Sequence, residues 1–152
     1  MKGKSNVKKK EHHFQQIIRK LQEVSGLDVD ILVEDHFPGR RMIGGKYSLE
    51  TNRVTIYLEE IRKQCFRLFG SEEKLMDYFA VILAHELGHA ADQSLLELSM
   101  VRAGKMEKQK RNQLSIKIEE NAWMYAKKLV PDLQPILTVV MEQSLAIYKI
   151  EE

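Results

Sequence analysis

The sequence predicts an α+β fold, with a small twisted sheet of about three strands ahead of a mostly helical second half. Three observations carry this prediction. Apolar side chains alternate in Val29, Ile31 and Val33, and two more strand-like runs, 41–49 and 53–58, follow within a few residues. The run from Leu75 to Ala91 is apolar around almost its whole circumference, which marks a buried helix. Beyond it, apolar residues recur at helical spacing over 114–130 and again from Pro135 to about Ile150. A chain of 152 residues suits one domain, able to bury about two-thirds of its unfolded surface.

The elements follow in order. Phe14, Ile17, Ile18, Leu21 and Val24 form one helical stripe, stopped at Ser25-Gly26. The first ten residues carry Lys2, Lys4, Lys8, Lys9 and Lys10 and no acid, and residues 1–12 read as a basic flexible tail and 13–152 as a single domain. Pro38-Gly39 marks a turn beside His36, which reads as a surface-loop histidine. The strands at 41–49 and 53–58 join at Glu50-Thr51-Asn52, and Gly44-Gly45 marks a bulge or a close approach of another backbone. A short helix is expected over 59–69, ending at Gly70, and Ser71-Glu72-Glu73 reads as the start of the next. Residues 102–113 are basic and polar, and read as a mobile loop or a solvated helix end.

The chemistry lies in His85-Glu86-Leu87-Gly88-His89, a His-Glu-x-x-His element inside the buried helix. Positions i and i+4 share one helix face about 6 Å apart along the axis, so two imidazoles there can hold one metal ion. Glu86 is turned about 100° away from His85 and cannot join as an equivalent ligand; it can stand beside the ion as a base toward water. Zinc hydrolysis requires that arrangement: protein ligands on one side, an open position, and a base next to it. The bland alternative is two hydrogen-bonded core histidines and a Glu paired elsewhere. It must explain three polar residues at metal-site spacing inside an apolar helix, where unpaired charge is costly.

A third ligand is sought by elimination. The other histidines, His12, His13 and His36, all precede the motif, and Leu95 stands where a metzincin places its third histidine. The downstream carboxylates are Asp92, Glu97, Glu107, Glu119, Glu120 and Asp132. Asp92 is less than a turn past His89, Glu97 and Glu107 lie in polar sequence without clear period, and Asp132 follows Pro131 as a helix-start residue. Glu119 falls inside the apolar arc of Ile118, Ala122, Trp123, Tyr125, Ala126, Leu129 and Val130, whereas Glu120 shares the side of Lys127. Glu119 is therefore the expected ligand. Ala122 and Ala126 on its side let another helix come close, and Trp123 should be buried near the motif.

The motif, followed by Glu119-Glu120-Asn121-Ala122, Tyr125-Ala126 and Leu129-Val130-Pro131, resembles the ImmA/IrrE family of small bacterial zinc metallopeptidases over roughly residues 40–131. That resemblance implies a zincin-like fold and a gluzincin-type site, with His85, His89 and Glu119 on zinc and Glu86 as general base. Trp123 departs from it, standing where an Asn or Asp is usual. It also makes a repressor or other regulatory protein a plausible substrate. In related zincins an edge strand binds the peptide by strand addition, and the hairpin over 41–58 is the expected source. Tyr47, Tyr125 and Arg102 are the candidate donors to the carbonyl oxygen of the scissile bond.

The expected activity is thus zinc-dependent hydrolysis of peptide bonds, with a protein or peptide as partner. The composition, 43% hydrophobic and 30% charged, is ordinary for a soluble globular protein, and the longest apolar run, Phe79–Ala84, is too short for a membrane span. No signal peptide is visible, and the single Cys65 forms no internal disulfide, which together point to the cytoplasm. The net charge of +2 is uneven: without the five leading lysines the 24 basic residues fall to 19 against 22 acidic, a body near −3. No aromatic residues interleave with those lysines, so nucleic acid is not the expected partner. Two rival readings stand beside the enzyme: a non-catalytic metal-binding interaction module, and a DNA-associated regulator using the Lys-rich end.

Overall fold

The computed structural model describes the backbone of residues 2–150 and the side chains of residues 11–148. Its elements are α1 (Lys2–Ser25), β1 (Asp30–Glu34), β2 (Gly45–Ser48), β3 (Arg53–Tyr57), α2 (Leu58–Phe69), α3 (Leu75–Ala91), α4 (Leu95–Ala103), α5 (Lys108–Leu129), a 3-10 turn (Pro131–Leu133) and α6 (Gln134–Ile150). This is the expected α+β arrangement, with three strands and a helical second half. The backbone of α1 reaches back through the residues expected as a tail. The side chains of the five leading lysines lie outside the described residues.

The sheet has the order β1-β3-β2, with β1 parallel and β2 antiparallel to β3. The hairpin turns through Asn52, whose φ of 51° lies in the left-handed region that Asn tolerates. Its side chain fixes the turn twice: Nδ2 donates to the Asp28 carbonyl at 2.8 Å, and Oδ1 accepts from the Tyr47 hydroxyl at 2.7 Å. The strand expected over 41–49 is shorter than its sequence pattern, running only from Gly45 to Ser48. Ahead of it the backbone is tied to α2 instead, because Gln64 Nε2 donates to the Met42 carbonyl at 2.9 Å. Gly45 sits in regular register opposite Ile56, so the glycine pair marks a close approach and no bulge.

Helix ends follow local chemistry. Gly26 (φ 65°) and Gly70 (φ 73°) stop α1 and α2 in left-handed conformations, their N–H groups donating to the carbonyls of Gln22 and Phe66. Ser71 does not cap α3. Its hydroxyl accepts from the Glu73 N–H at 3.3 Å in a preceding turn, and the helix begins at Leu75. The polar stretch at 102–113 is two helix ends and a short joint: α4 closes at Ala103 and α5 opens at Lys108. Here charged, poorly periodic sequence hid real helices, whose solvated faces leave little apolar pattern to detect.

Helix α3 is the centre of the molecule. Every residue from Tyr78 to His89 is buried, and the helix touches α1, α2, β2, β3, α5 and α6. Phe79 meets Phe14 of α1 with ring centroids 4.5 Å apart. Val54 and Ile56 of the sheet, Trp123 and Ala126 of α5, and Leu137 and Val140 of α6 complete one continuous core with it. The crossing of α3 and α5 is closest at Gly88. A Cβ placed there would stand 2.8 Å from Ala122 Cα and 2.9 Å from its carbonyl carbon, inside the partner helix's backbone. Among the described residues, no helix is long and apolar enough to cross a membrane.

Gly88→Ala tests that crossing. Alanine is favoured in a helix interior by up to about 1 kcal/mol, whereas overpacking against unyielding backbone costs about 1–3 kcal/mol. The clash wins, and the urea midpoint should fall with its slope unchanged. An unaltered or raised midpoint would show that the two helices do not meet as closely as described.

Candidate metal centre

Three side chains converge where α3 and α5 cross. His85 and His89 are buried on α3 and Glu119 is half-buried on α5, 18% of its side chain being exposed. One ligand atom from each lies within 4.8 Å of the others. The imidazoles share the face that i, i+4 spacing dictates, with ring centroids 4.7 Å apart. Glu119 spreads its carboxylate across both rings: Oε2 is 2.8 Å from His85 Nε2 and Oε1 is 3.4 Å from His89 Nε2. Glu119 thus meets both histidines, as its place in the apolar arc predicts.

The other carboxylates considered stand elsewhere. Glu97, Glu107, Glu120 and Asp132 are exposed. Asp92 is spent on structure: Oδ1 accepts from the Ser94 N–H at 3.0 Å and from its hydroxyl at 2.6 Å, and Oδ2 accepts from Asn121 Nδ2 at 3.3 Å. This tether joins the end of α3 to α5 two residues past Glu119, and so helps to fix which turn of α5 faces the histidines. Sequence reasoning missed it. The signal available was an Asp-x-Ser turn directly after the motif, with an Asn beside the candidate ligand. His36 is exposed and lies 3.9 Å from Glu60, away from this centre.

Glu86 is buried with its carboxylate oxygen 3.2 Å from His85 Nδ1. It does not belong to the group that converges on Glu119, in keeping with its rotation around α3. Gly45 of β2 makes room for it, since a Cβ there would stand 3.1 Å from Glu86 Cγ. Trp123 is 1% exposed and stacks on His85, with centroids 4.2 Å apart and planes inclined by 21°. Its position in the arc foretold burial; the ring stack follows from Trp123 and Glu119 lying close together on one side of α5. The indole holds the plane of His85 by contact, since its Nε1 is buried without a hydrogen-bond partner.

The centre opens into a cleft of about 770 Å³. One wall is β2 with the segment before it, and the others come from α2, α3, α4, α5 and α6. Of the candidate carbonyl donors, Tyr47 and Arg102 line this cleft and Tyr125 does not.

The residues present fit a divalent cation. Two imidazoles and a carboxylate are a donor set that zinc accepts. His89 Nδ1 is buried with no protein partner, and two carboxylates, Glu86 and Glu119, surround His85. The charges show the same demand for positive charge. Burial opposes charging of His85, but hydrogen bonds to Glu119 and Glu86 outweigh it and push the imidazole up to about 9. Burial likewise disfavours the Glu119 carboxylate, yet its contacts with His85 and His89 hold it well below the usual carboxylate range.

These shifts set the behaviour of protein stripped with a chelator. His85 is raised, so its contribution to stability is complete below the ordinary 6.5 and is lost as pH rises through about 9. Glu119 is lowered, so its contribution is complete above the ordinary 4.5 and is lost as pH falls below it. Trp123 is the only tryptophan, and a protonated imidazole stacked on it quenches its emission. Emission of the stripped protein should therefore rise as pH passes upward through about 9, and this step should vanish in His85→Ala. A flat profile in the parent protein would refute the stack. Comparison of the sequence and fold with protein-family models, with curated proteins and with solved structures finds no match.

Proposed function

We propose that this protein is a zinc-dependent metallopeptidase of the gluzincin type, with the zincin-like fold and ImmA/IrrE-type likeness that its motifs imply. The observation that carries the reading is the convergence of His85, His89 and Glu119 at the floor of a cleft, with Glu86 buried against His85. His85, His89 and Glu119 would hold the ion. Zinc in such a site would polarise a substrate carbonyl and lower the pKa of water toward neutrality.

The protein's own groups do the rest. Glu86 takes the proton from the water whose oxygen attacks the scissile carbonyl carbon. As the C–N bond breaks, the same carboxyl returns that proton to the leaving amine nitrogen. Trp123, stacked on the ring, holds the plane of His85. The strand β2 hydrogen-bonds to β3 alone within the sheet and lines the cleft, so an extended peptide laid beside it would gain main-chain hydrogen bonds next to Glu86. The cleft supports this reading over a purely structural metal site, which closes its coordination with protein ligands and needs no groove. A cytoplasmic setting goes with it, since Cys65 is free and buried.

Metal content and turnover test the reading separately. Purified protein should carry about one zinc per molecule by elemental analysis. His85→Ala, His89→Ala and Glu119→Ala should each lose it, and Glu120→Ala should keep it. Retention in all three ligand variants would remove the site. Glu86→Gln keeps size and hydrogen bonding but loses the basic carboxylate, so zinc should remain while cleavage of proteome-derived peptides falls by about 10²–10⁴. Equal cleavage by Glu86→Gln and the parent would refute the assigned base.

A further inference from the structure

The charges lining the cleft divide in a way that bears on what enters it. The acidic groups of the lining are Glu86 and Glu119, both at the metal centre. All the other formally charged residues of the lining are basic: Lys46 on β2, Arg67 at the end of α2, and Arg102 on α4. Arg102 is the most defined of them. Its Nη1 donates to the Ser115 hydroxyl at 3.3 Å, a neutral partner, and it makes no ion pair among the described residues. Ser115 lies four residues before Glu119 on the same face of α5, so Arg102 is tethered one helical turn along α5 from the residue that reaches both histidines. Its backbone is braced as well: Arg111 donates from Nε to the Arg102 carbonyl at 3.2 Å and from Nη2 to the Gly104 carbonyl at 3.1 Å.

We infer that Arg102 is a carboxylate-binding subsite of the cleft, which selects substrates carrying a carboxylate within a residue or two of the bond to be cut. This rests on the peptidase reading for the word substrate. A guanidinium offers a fork of N–H donors that matches a carboxylate oxygen for oxygen, and one hydroxyl contact leaves donors of that fork free. Half-buried in a cleft, it is less hydrated than a surface lysine, so pairing is stronger than at an exposed site. Lys46 and Arg67 extend the same sign of charge along the cleft and add attraction for an acidic segment. The carboxylate can come from an Asp or Glu side chain or from the C-terminus of a peptide, since both present the same two oxygens.

The test reads binding, so it does not depend on turnover. Full-length Glu86→Gln protein, incubated with zinc and immobilised, is offered randomised octapeptides in two libraries, one with free C-termini and one amidated. Retained peptides are identified by mass spectrometry. The expected result is enrichment of Asp and Glu over Asn and Gln by about tenfold at one position, the size of effect a charge-assisted pair confers. Enrichment in both libraries assigns the side-chain source; retention only of free-acid peptides assigns the C-terminus. Adding Arg102→Gln should abolish the preference without moving the thermal midpoint, and Arg102→Lys should restore part of it. Retained peptides with neither an acidic preference nor a need for a free C-terminus, a selectivity unchanged by Arg102→Gln, or no retention at all would overturn the subsite. Capture of acidic peptides by a protein whose parent form cleaves none of them would leave the subsite standing and remove the peptidase reading.

Discussion

The closeness of α3 and α5 at Gly88 and Ala122 is the constraint on which the rest of the molecule depends. Glu119 is one turn before Ala122, and His85 and His89 flank Gly88 on α3. A glutamate side chain is short, so its carboxylate reaches both imidazoles only if the two backbones nearly touch. Glycine on one helix and alanine on the other permit that contact. The Asp92–Asn121 hydrogen bond then fixes the register along the crossing. Assembly of this cluster is therefore a packing problem first: two small residues determine whether three side chains that could hold a metal can share one point.

The same crossing explains why α3 can be apolar all round and still carry three polar side chains. The sheet, α1 and α6 cover its apolar surface, while α5 supplies Glu119 and Trp123 to the histidine face. Buried polar groups without partners are costly, and His85 meets carboxylates on both of its nitrogens. His89 is less well served by the protein itself, with Nδ1 unpartnered. The cluster is thus built around positive charge, and the raised His85 and lowered Glu119 are two expressions of that bias.

Much of this was legible from residue order alone, because the signals were strong and local. The body of α3 follows from a stretch that is apolar around almost its whole circumference. Glu119 could be chosen over Glu120 because one residue of helical phase separates an inward carboxylate from an exposed one. The first strand could be read from the alternation of Val29, Ile31 and Val33, and the paired strands as two strand-like runs joined at Glu50-Thr51-Asn52. What stayed hidden depended on contacts distant in sequence. The early end of β2 is set by Gln64 holding Met42, and the start of α3 by Ser71 serving a turn instead of a helix. Helix α4 and the first turns of α5 bury few side chains, so they leave little periodic trace. The stack of Trp123 on His85 needed the interhelical distance, which no single segment contains.

The open side of β2 has a consequence for the protein's colloidal behaviour. A strand edge with unpaired backbone groups is a template for the edge of any other protein, including another copy of itself. Here that edge is only four residues long, and the exposed Lys46 lies within it. Short length and a lysine are two of the devices by which natural sheets discourage edge-to-edge aggregation. The strand edge thus stays open while its shortness and its lysine limit the growth of intermolecular sheet, and its first residue, Gly45, is the one that packs on Glu86.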